Sequence, residues 1–232
     1  MGLIWDGLRE AVELLSRGDR ALYSTAARSL YVSGVATLVS LALGVLAGAF
    51  LAFQRFRGRG LALAFVNTGM GLPPVVVGLV VAIMLWRSGP LGDLHLIYTV
   101  WAMVLAQAVL TFPIVTGFTA AALAAQPPEL RLQLLGLGAS RWQALWLLLK
   151  EARLPLLAAV MAAFGAAVSE VGASMMVGGN ILGQTRVLTT ATVMETSKGN
   201  FGAAMALGVI LMLLVYLVNL VLTSVQQRSR PQ

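Results

Sequence analysis

The chain contains 232 residues, of which 59% are hydrophobic and only 11% are charged. This composition excludes an ordinary soluble domain, because too few polar side chains are present to cover a water-facing surface. The formal net charge is +7, and the absence of cysteine excludes disulfide bonds and thiolate metal sites. The sequence therefore predicts an integral membrane protein.

Five segments supply the roughly 20 mainly apolar residues that an α-helix needs to cross a hydrocarbon layer of about 30 Å. None shows the alternation of apolar and polar residues that is typical of transmembrane strands. The connections between them are short, so we predict one all-α transmembrane domain over residues 1–232, with its core at 29–225. The predicted spans are residues 29–53, 61–86, 96–124, 154–177 and 201–224.

The basic residues outside the spans are unevenly distributed. The excess lies after spans one, three and five, which places the net charge on one face of the membrane. The positive-inside rule makes this face cytoplasmic, with the N-terminus outside and the C-terminus inside. Because topology accounts for the charge, no nucleic-acid partner is indicated. The basic residues of this face are Arg55, Arg57, Arg59, Arg131, Arg141, Lys150, Arg153, Arg228 and Arg230.

The pattern of residues 1–20 predicts an amphipathic helix. Ile4, Leu8, Val12 and Leu15 recur at helical spacing among charged residues, and the continuous apolar core of a signal peptide is missing. Such a helix either lies on the membrane surface or packs on the bundle.

Glycine and proline mark the first two spans. Gly44 and Gly48 form a small-xxx-small pattern, which favours close packing of a helix within the subunit over a dimer contact. Span two carries Pro73 and Pro74 among several glycines in its first half, so a broken or kinked helix is predicted. The freed carbonyls are costly in lipid, which favours a position against protein or a water-filled path, although a simple proline kink explains the residues equally well.

The connection at residues 126–153 predicts two short helices separated by a sharp turn. Pro127 and Pro128 suit the first turn of a helix, which continues to a stop at Gly138. Ser140, with glutamine three residues later, forms a capping-box pattern that starts the second helix. The apolar face of this second helix, which fits either the lipid interface or a groove on a partner, consists of Trp142, Leu145 and Trp146.

The run Leu-Gly-Ala-Ser-Arg-Trp-Gln at residues 137–143 resembles the cytoplasmic loop of ABC importer permeases. The family pattern is Glu-Ala-Ala, three residues, Gly and a closing Ile-x-Leu-Pro. The Glu-Ala-Ala positions read Leu-Gln-Leu at residues 132–134 here, and the Leu-Pro close at 154–155 falls later than the family's spacing. In that family the loop forms the coupling helix that docks on the ATPase subunit. The resemblance implies a coupling role for Gly138, Ala139, Ser140, Arg141 and Trp142.

Two further runs resemble the molybdate, tungstate and sulfate branch of these permeases, and the tungstate type most closely. They are residues 69–79, which include Gly-Leu-Pro-Pro, and residues 169–190, which end in Gly-Gln-Thr-Arg-Val-Leu-Thr-Thr. The resemblance implies the MetI-like fold of ABC importer permeases. It also implies ATP-driven import of an oxyanion, expected to be tungstate, with molybdate or sulfate as alternatives. A channel or an ion-coupled carrier that works without ATP is the rival class.

The resemblance also implies partners. Such a permease works in a prokaryotic cytoplasmic (inner) membrane with ATPase subunits and an extracytoplasmic oxyanion-binding protein. This chain lacks the phosphate-binding Gly-x-x-x-x-Gly-Lys-Ser/Thr motif, so we expect no enzyme activity and no bound cofactor, with ATP and Mg on the ATPase. Two ATPase subunits need two coupling loops and the chain has one, which predicts a homodimer.

Glu170 is an ionisable residue within a predicted span, where such groups are costly and usually functional. Repulsion disfavours direct contact with an oxyanion, so we expect a gate, a structural hydrogen bond or a protonated neutral form. Neutral donors and glycine amides suit an anion better. His95, the only histidine, has no second ligand near it in sequence, so no metal or catalytic site is assigned. The expected pathway or gate residues are Pro73, Pro74, Glu170, Ser174, Gly179, Asn180, Gln184 and Thr185.

Overall fold

The computed structural model describes residues 2–17 and 20–228, and within them the regular structure is helical. A short 3₁₀ turn at Gly92–Leu94 precedes the fifth α-helix. Arg230 of the predicted basic face lies outside the described residues. The α-helices are α1 (Gly2–Arg17), α2 (Arg20–Phe53), α3 (Arg59–Gly69), α4 (Pro74–Leu85), α5 (Val100–Ala124), α6 (Pro128–Gly136), α7 (Arg141–Glu151), α8 (Arg153–Val168), α9 (Gly172–Gly178), α10 (Leu188–Ser197) and α11 (Phe201–Arg228).

Three helices, α2, α5 and α11, are long and apolar enough to cross a membrane singly. Two bent pairs bring the number to five if each pair forms one span: α3 with α4, bent by 103°, and α8 with α9, bent by 58°. The predicted interruption of span two is confirmed. Residues 154–177, expected to cross as one helix, are instead divided between Val168 and Gly172.

The contact between α2 and α5 forms the centre of the fold, and two glycines of α2 allow it. A Cβ atom on Gly48 would lie 2.6 Å from the carbonyl oxygen of Thr116 and 2.6 Å from Cβ of Thr119. A Cβ atom on Gly44 would lie 2.9 Å from side-chain atoms of Val115. The small-xxx-small pattern therefore packs within the subunit, as the sequence predicts.

The amphipathic helix α1 packs on the bundle. Its Ala11 is 1% exposed and belongs to an apolar cluster with Leu22, Leu188, Ala206 and Ile210. Gly7 lies so close to Met205 of α11 that a Cβ atom would overlap it. Of the two positions expected for this segment, packing on the bundle is therefore the one observed. The side chain of Ile4 lies outside the described part of the chain.

The bundle has two distinct ends. At one, Ala49 and Leu123 of two spans pack with Leu148 and Ala152 of the 126–153 connection, and we call it the loop end. At the other, the far end, the loop at 179–187 lies against α2 through hydrogen bonds to Arg28. The helix that follows this loop, α10, is not predicted from the sequence. The two candidate functional regions thus occupy opposite ends.

Candidate coupling turn and translocation pathway

Gly138 makes the sharp turn after α6. Its φ angle is 88°, in the left-handed region that glycine adopts readily. Its amide donates to the carbonyl of Leu135 (3.0 Å), and the amide of Ala139 donates to the carbonyl of Leu134 (3.1 Å). These two bonds form a Schellman motif, which satisfies the last carbonyls of the helix. The helix itself ends at Gly136, close to the stop that the sequence predicts.

The second helix starts where the capping-box pattern places it. The backbone amide of Ser140 donates to Oε1 of Gln143 (2.8 Å), and the amide of Gln143 donates to Oγ of Ser140 (3.3 Å). Two donors at the start of α7 are satisfied reciprocally, so the helix begins at Arg141. The capping-box prediction is confirmed, and the turn between α6 and α7 is fixed by local bonds at both sides.

The turn is anchored to the bundle but presents apolar side chains outward. Nε2 of Gln126 donates to the carbonyl of Leu148 (2.8 Å), and Leu148 is only 2% exposed. In contrast, Leu137 is 86% exposed, Trp142 74% and Trp146 69%. A rigid helix-turn-helix with large exposed apolar groups at its corner is suited to a protein or lipid contact.

The far halves of the two broken spans pack directly on each other. A Cβ atom on Gly78 of α4 would lie 2.5 Å from Cα of Ala173 in α9, and one on Gly172 would lie 2.7 Å from Cγ2 of Val75. The backbones approach because these positions carry no side chain. Pro73 is extended, with φ −62° and ψ 121°, and α4 begins at the following proline. Together α4 and α9 form one packed unit that sits beyond both breaks.

Glu170 lies at the break in span four and is 7% exposed. Its Oε1 accepts a hydrogen bond from the amide of Ala173 (2.6 Å), in the first turn of α9. Its carbonyl accepts one from Oγ1 of Thr189 in α10 (2.9 Å). The carboxylate therefore satisfies an amide at the start of a half-helix, and the main chain ties that half-helix to α10.

The loop at 179–187 closes on itself. Thr185 is 1% exposed, and its hydroxyl donates to the carbonyl of Gly178 and accepts from the amide of Ile181 (2.9 Å). Asn180, with φ 50°, accepts at Oδ1 from Nε of Arg186 (3.3 Å). Because these polar groups bond to one another, they fix the shape of the loop.

The structure separates the predicted pathway residues into four places: the two breaks, the far-end loop and, for Ser174, the interior of α9. Pro73 and Pro74 lie at the first break and Glu170 at the second. Gly179, Asn180, Gln184 and Thr185 share the far-end loop, where Gln184 is exposed. Ser174 is fully buried and accepts a hydrogen bond from Nε2 of Gln107 (3.2 Å).

Arg28 is a residue of the far end that the sequence-based expectation omits. Its two terminal nitrogens donate to the carbonyls of Arg186 and Gly183, both at 2.8 Å. The partners lie more than 150 positions away in sequence, and no local pattern points to them. Within the described ranges, no group of three or more His, Asp or Glu side chains is placed to hold a metal ion.

Residues 41–231 match the family described as "Binding-protein-dependent transport system inner membrane component". The chain belongs to this family. The description places its members in the inner membrane, in agreement with the long apolar helices of the bundle.

Two relatives and one solved structure are similar over nearly the full length. The chain is 40% identical to "Tungstate uptake system permease protein TupB" of Peptoclostridium acidaminophilum, covering 98% of this chain and 100% of the relative. It is 32% identical to the protein of the same name from Campylobacter jejuni, covering 94% and 91%. The MetNI methionine ABC transporter, in inward-facing conformations, superimposes with a TM-score of 0.72 at 20% identity, covering 91% of this chain and 97% of that one. The fold is therefore that of the MetI-like ABC importer permeases.

Proposed function

We propose that this chain is the membrane-spanning permease of an ATP-driven importer whose substrate is tungstate. The observation that carries the proposal is the similarity to a tungstate uptake permease, 40% identical across 98% of this chain. The similarity extends over the whole length of that relative, so the proposal does not depend on one matching segment.

The corner at Leu137 and Gly138 supports a coupling role. It combines a rigid turn with an 86% exposed leucine at the loop end of the bundle. A separate ATPase subunit, which holds ATP and Mg, would bind this corner. Movement of the corner would be transmitted through Leu148 and Ala152, which pack on α2 and α5.

The positive-inside rule supports a cytoplasmic position for the loop end, with the N-terminus outside and the C-terminus inside a prokaryotic inner membrane. The far end would then receive the anion from an extracytoplasmic binding protein. One coupling corner per chain supports a homodimer, since a second ATPase subunit needs a second corner.

At the far end, the hydrogen bonds separate the pathway residues into those that shape the path and those that are available to contact the anion. The hydroxyl of Thr185 is engaged inside the loop, and Ser174 is buried against Gln107, so both would act by shaping the path. Gln184 is exposed and carries free amide donors, which fits contact with an oxyanion. Arg28 and Arg186 add positive charge beside it. Glu170 would orient α9 through its hydrogen bond to the amide of Ala173 and would not contact the anion.

Uptake into proteoliposomes tests the proposal. Vesicles that contain this chain and its ATPase subunits are supplied with the binding protein. They should accumulate tungstate only when ATP is present on the side of the membrane where the ATPase lies. Omission of the ATPase or replacement of ATP by a non-hydrolysable analogue serves as the control. Accumulation without ATP would favour a channel or carrier. If unlabelled molybdate or sulfate inhibited the uptake of labelled tungstate more strongly than unlabelled tungstate does, the proposed substrate would be wrong.

A further inference from the structure

A cleft of about 510 Å³ opens at the loop end between α2, α6 and α7. Its apolar lining includes Phe50 and Phe53 of α2 and Trp142 and Leu145 of α7. Two basic residues, Arg131 and Arg141, also line it. We propose that this cleft binds an anionic phospholipid, with the headgroup phosphate between the two arginines and an acyl chain along α2.

The charge of the cleft is uncompensated. No Asp or Glu lines it, and no ion pair to Arg131 or Arg141 occurs in the described part of the chain. The nearby acids Glu129 and Glu151 line a separate cleft. Two cations in one recess with no acid are electrostatically unfavourable by themselves, and a bound phosphate removes that cost.

The positions of the two arginines favour an anion between them. Arg141 is the first residue of α7, where the helix dipole disfavours a positive charge. The guanidinium carbon of Arg131 lies 4.6 Å from the ring centroid of Phe53, which orients the group by a cation–π contact. An anion that contacts both side chains would offset the unfavourable position of Arg141.

The apolar lining of the cleft continues into an exposed apolar surface of α2. Leu43, Leu46 and Phe50 recur at helical spacing, and their side chains are 56%, 54% and 56% exposed. An acyl chain can therefore lie along this stripe while its headgroup remains at the charged end. Trp142, which lines the cleft and is 74% exposed, has the amphipathic character typical of the membrane boundary. Basic pockets beside transmembrane helices recognise anionic headgroups.

Lipid retention by the full-length chain provides the test. The purified chain is mixed with phosphatidylglycerol, with cardiolipin or with phosphatidylcholine, and native mass spectrometry counts the lipids that stay bound. The anionic lipids should be retained and phosphatidylcholine should not. Arg131→Gln and Arg141→Gln should each weaken retention about fivefold. Arg57→Gln removes an exposed charge from the same end but outside the cleft, and retention should be unchanged.

Several outcomes would overturn the site. The arginine variants could retain as much lipid as the wild type, or Arg57→Gln could lose as much as they do. Phosphatidylcholine could bind as well as the anionic lipids. Inorganic phosphate or the ATPase subunits could displace the bound lipid completely. Arg141→Lys keeps the charge and should retain most of the lipid, which separates the loss of charge from a folding defect. No ATP or tungstate is present, so the result is independent of the transport assay.

Discussion

Replacement of Glu170 by leucine is expected to reduce tungstate uptake severalfold and to lower thermal stability. Leucine removes the acceptor at Oε1, so the amide of Ala173 loses its partner in a site that is 7% exposed. An unsatisfied buried amide costs about 1–3 kcal/mol, and the unsatisfied group lies at the start of α9. Uptake should fall by at least about fivefold, since each 1.4 kcal/mol corresponds to tenfold in an equilibrium. Transport in proteoliposomes and the unfolding temperature in detergent measure the two effects.

Glu170→Gln is the matched control, because glutamine keeps an acceptor oxygen at the same place without the charge. It should retain most of the uptake if the role of the side chain is to hold α9. Thr189→Val removes the donor to the carbonyl of Glu170 and should have a smaller effect of about 1 kcal/mol. A glutamine variant as inactive as the leucine variant would show that the charge itself is required, and the capping role would then be wrong.

Replacement of Gly138 by valine is expected to uncouple the permease from its ATPase subunits. Since a Cβ atom there meets nothing within 4 Å, the cost arises from the φ angle of 88° and not from crowding. A left-handed conformation costs an ordinary residue roughly 1–2 kcal/mol, and a β-branched residue tolerates it least. The turn should shift, and co-purification with the ATPase and ATP-dependent uptake should both fall severalfold.

Two variants separate backbone strain from added bulk. Gly138→Asn should be milder than valine, because asparagine tolerates the left-handed region. Gly136→Ala, two residues earlier in α6 and also without close neighbours, should be neutral or slightly stabilising because alanine is the better helix former. If Gly138→Val retained the complex and full uptake, the corner could not have the coupling role.

The sequence predicts those parts of the fold that depend on local chemistry. The proline pair at 127–128, Gly138 and the capping box at Ser140 place both helices of the 126–153 connection within a residue or two. The same applies to the interruption at Pro73 and Pro74, because proline removes a backbone donor whatever surrounds it.

The remaining features depend on contacts between distant segments. The break in span four contains no proline, and it is held by Glu170, by Thr189 of α10 and by the packing of Gly172 on Val75. A sequence pattern identifies Glu170 as unusual in a span but cannot give the direction of its carboxylate. Likewise, Thr185 has the right chemistry for an anion, and only its contacts reveal that its hydroxyl is engaged within the loop.

Thiol labelling of the corner tests most directly whether it is the cytoplasmic contact of the ATPase. The chain has no cysteine, so Leu137→Cys and Leu182→Cys each introduce a single thiol, at sites that are 86% and 66% exposed at opposite ends. A membrane-impermeant maleimide should label residue 182 in right-side-out vesicles and residue 137 only in inside-out vesicles. The ATPase subunits should protect residue 137 and leave residue 182 reactive. Labelling of residue 137 from outside, or labelling unaffected by the ATPase, would contradict the coupling role of the corner.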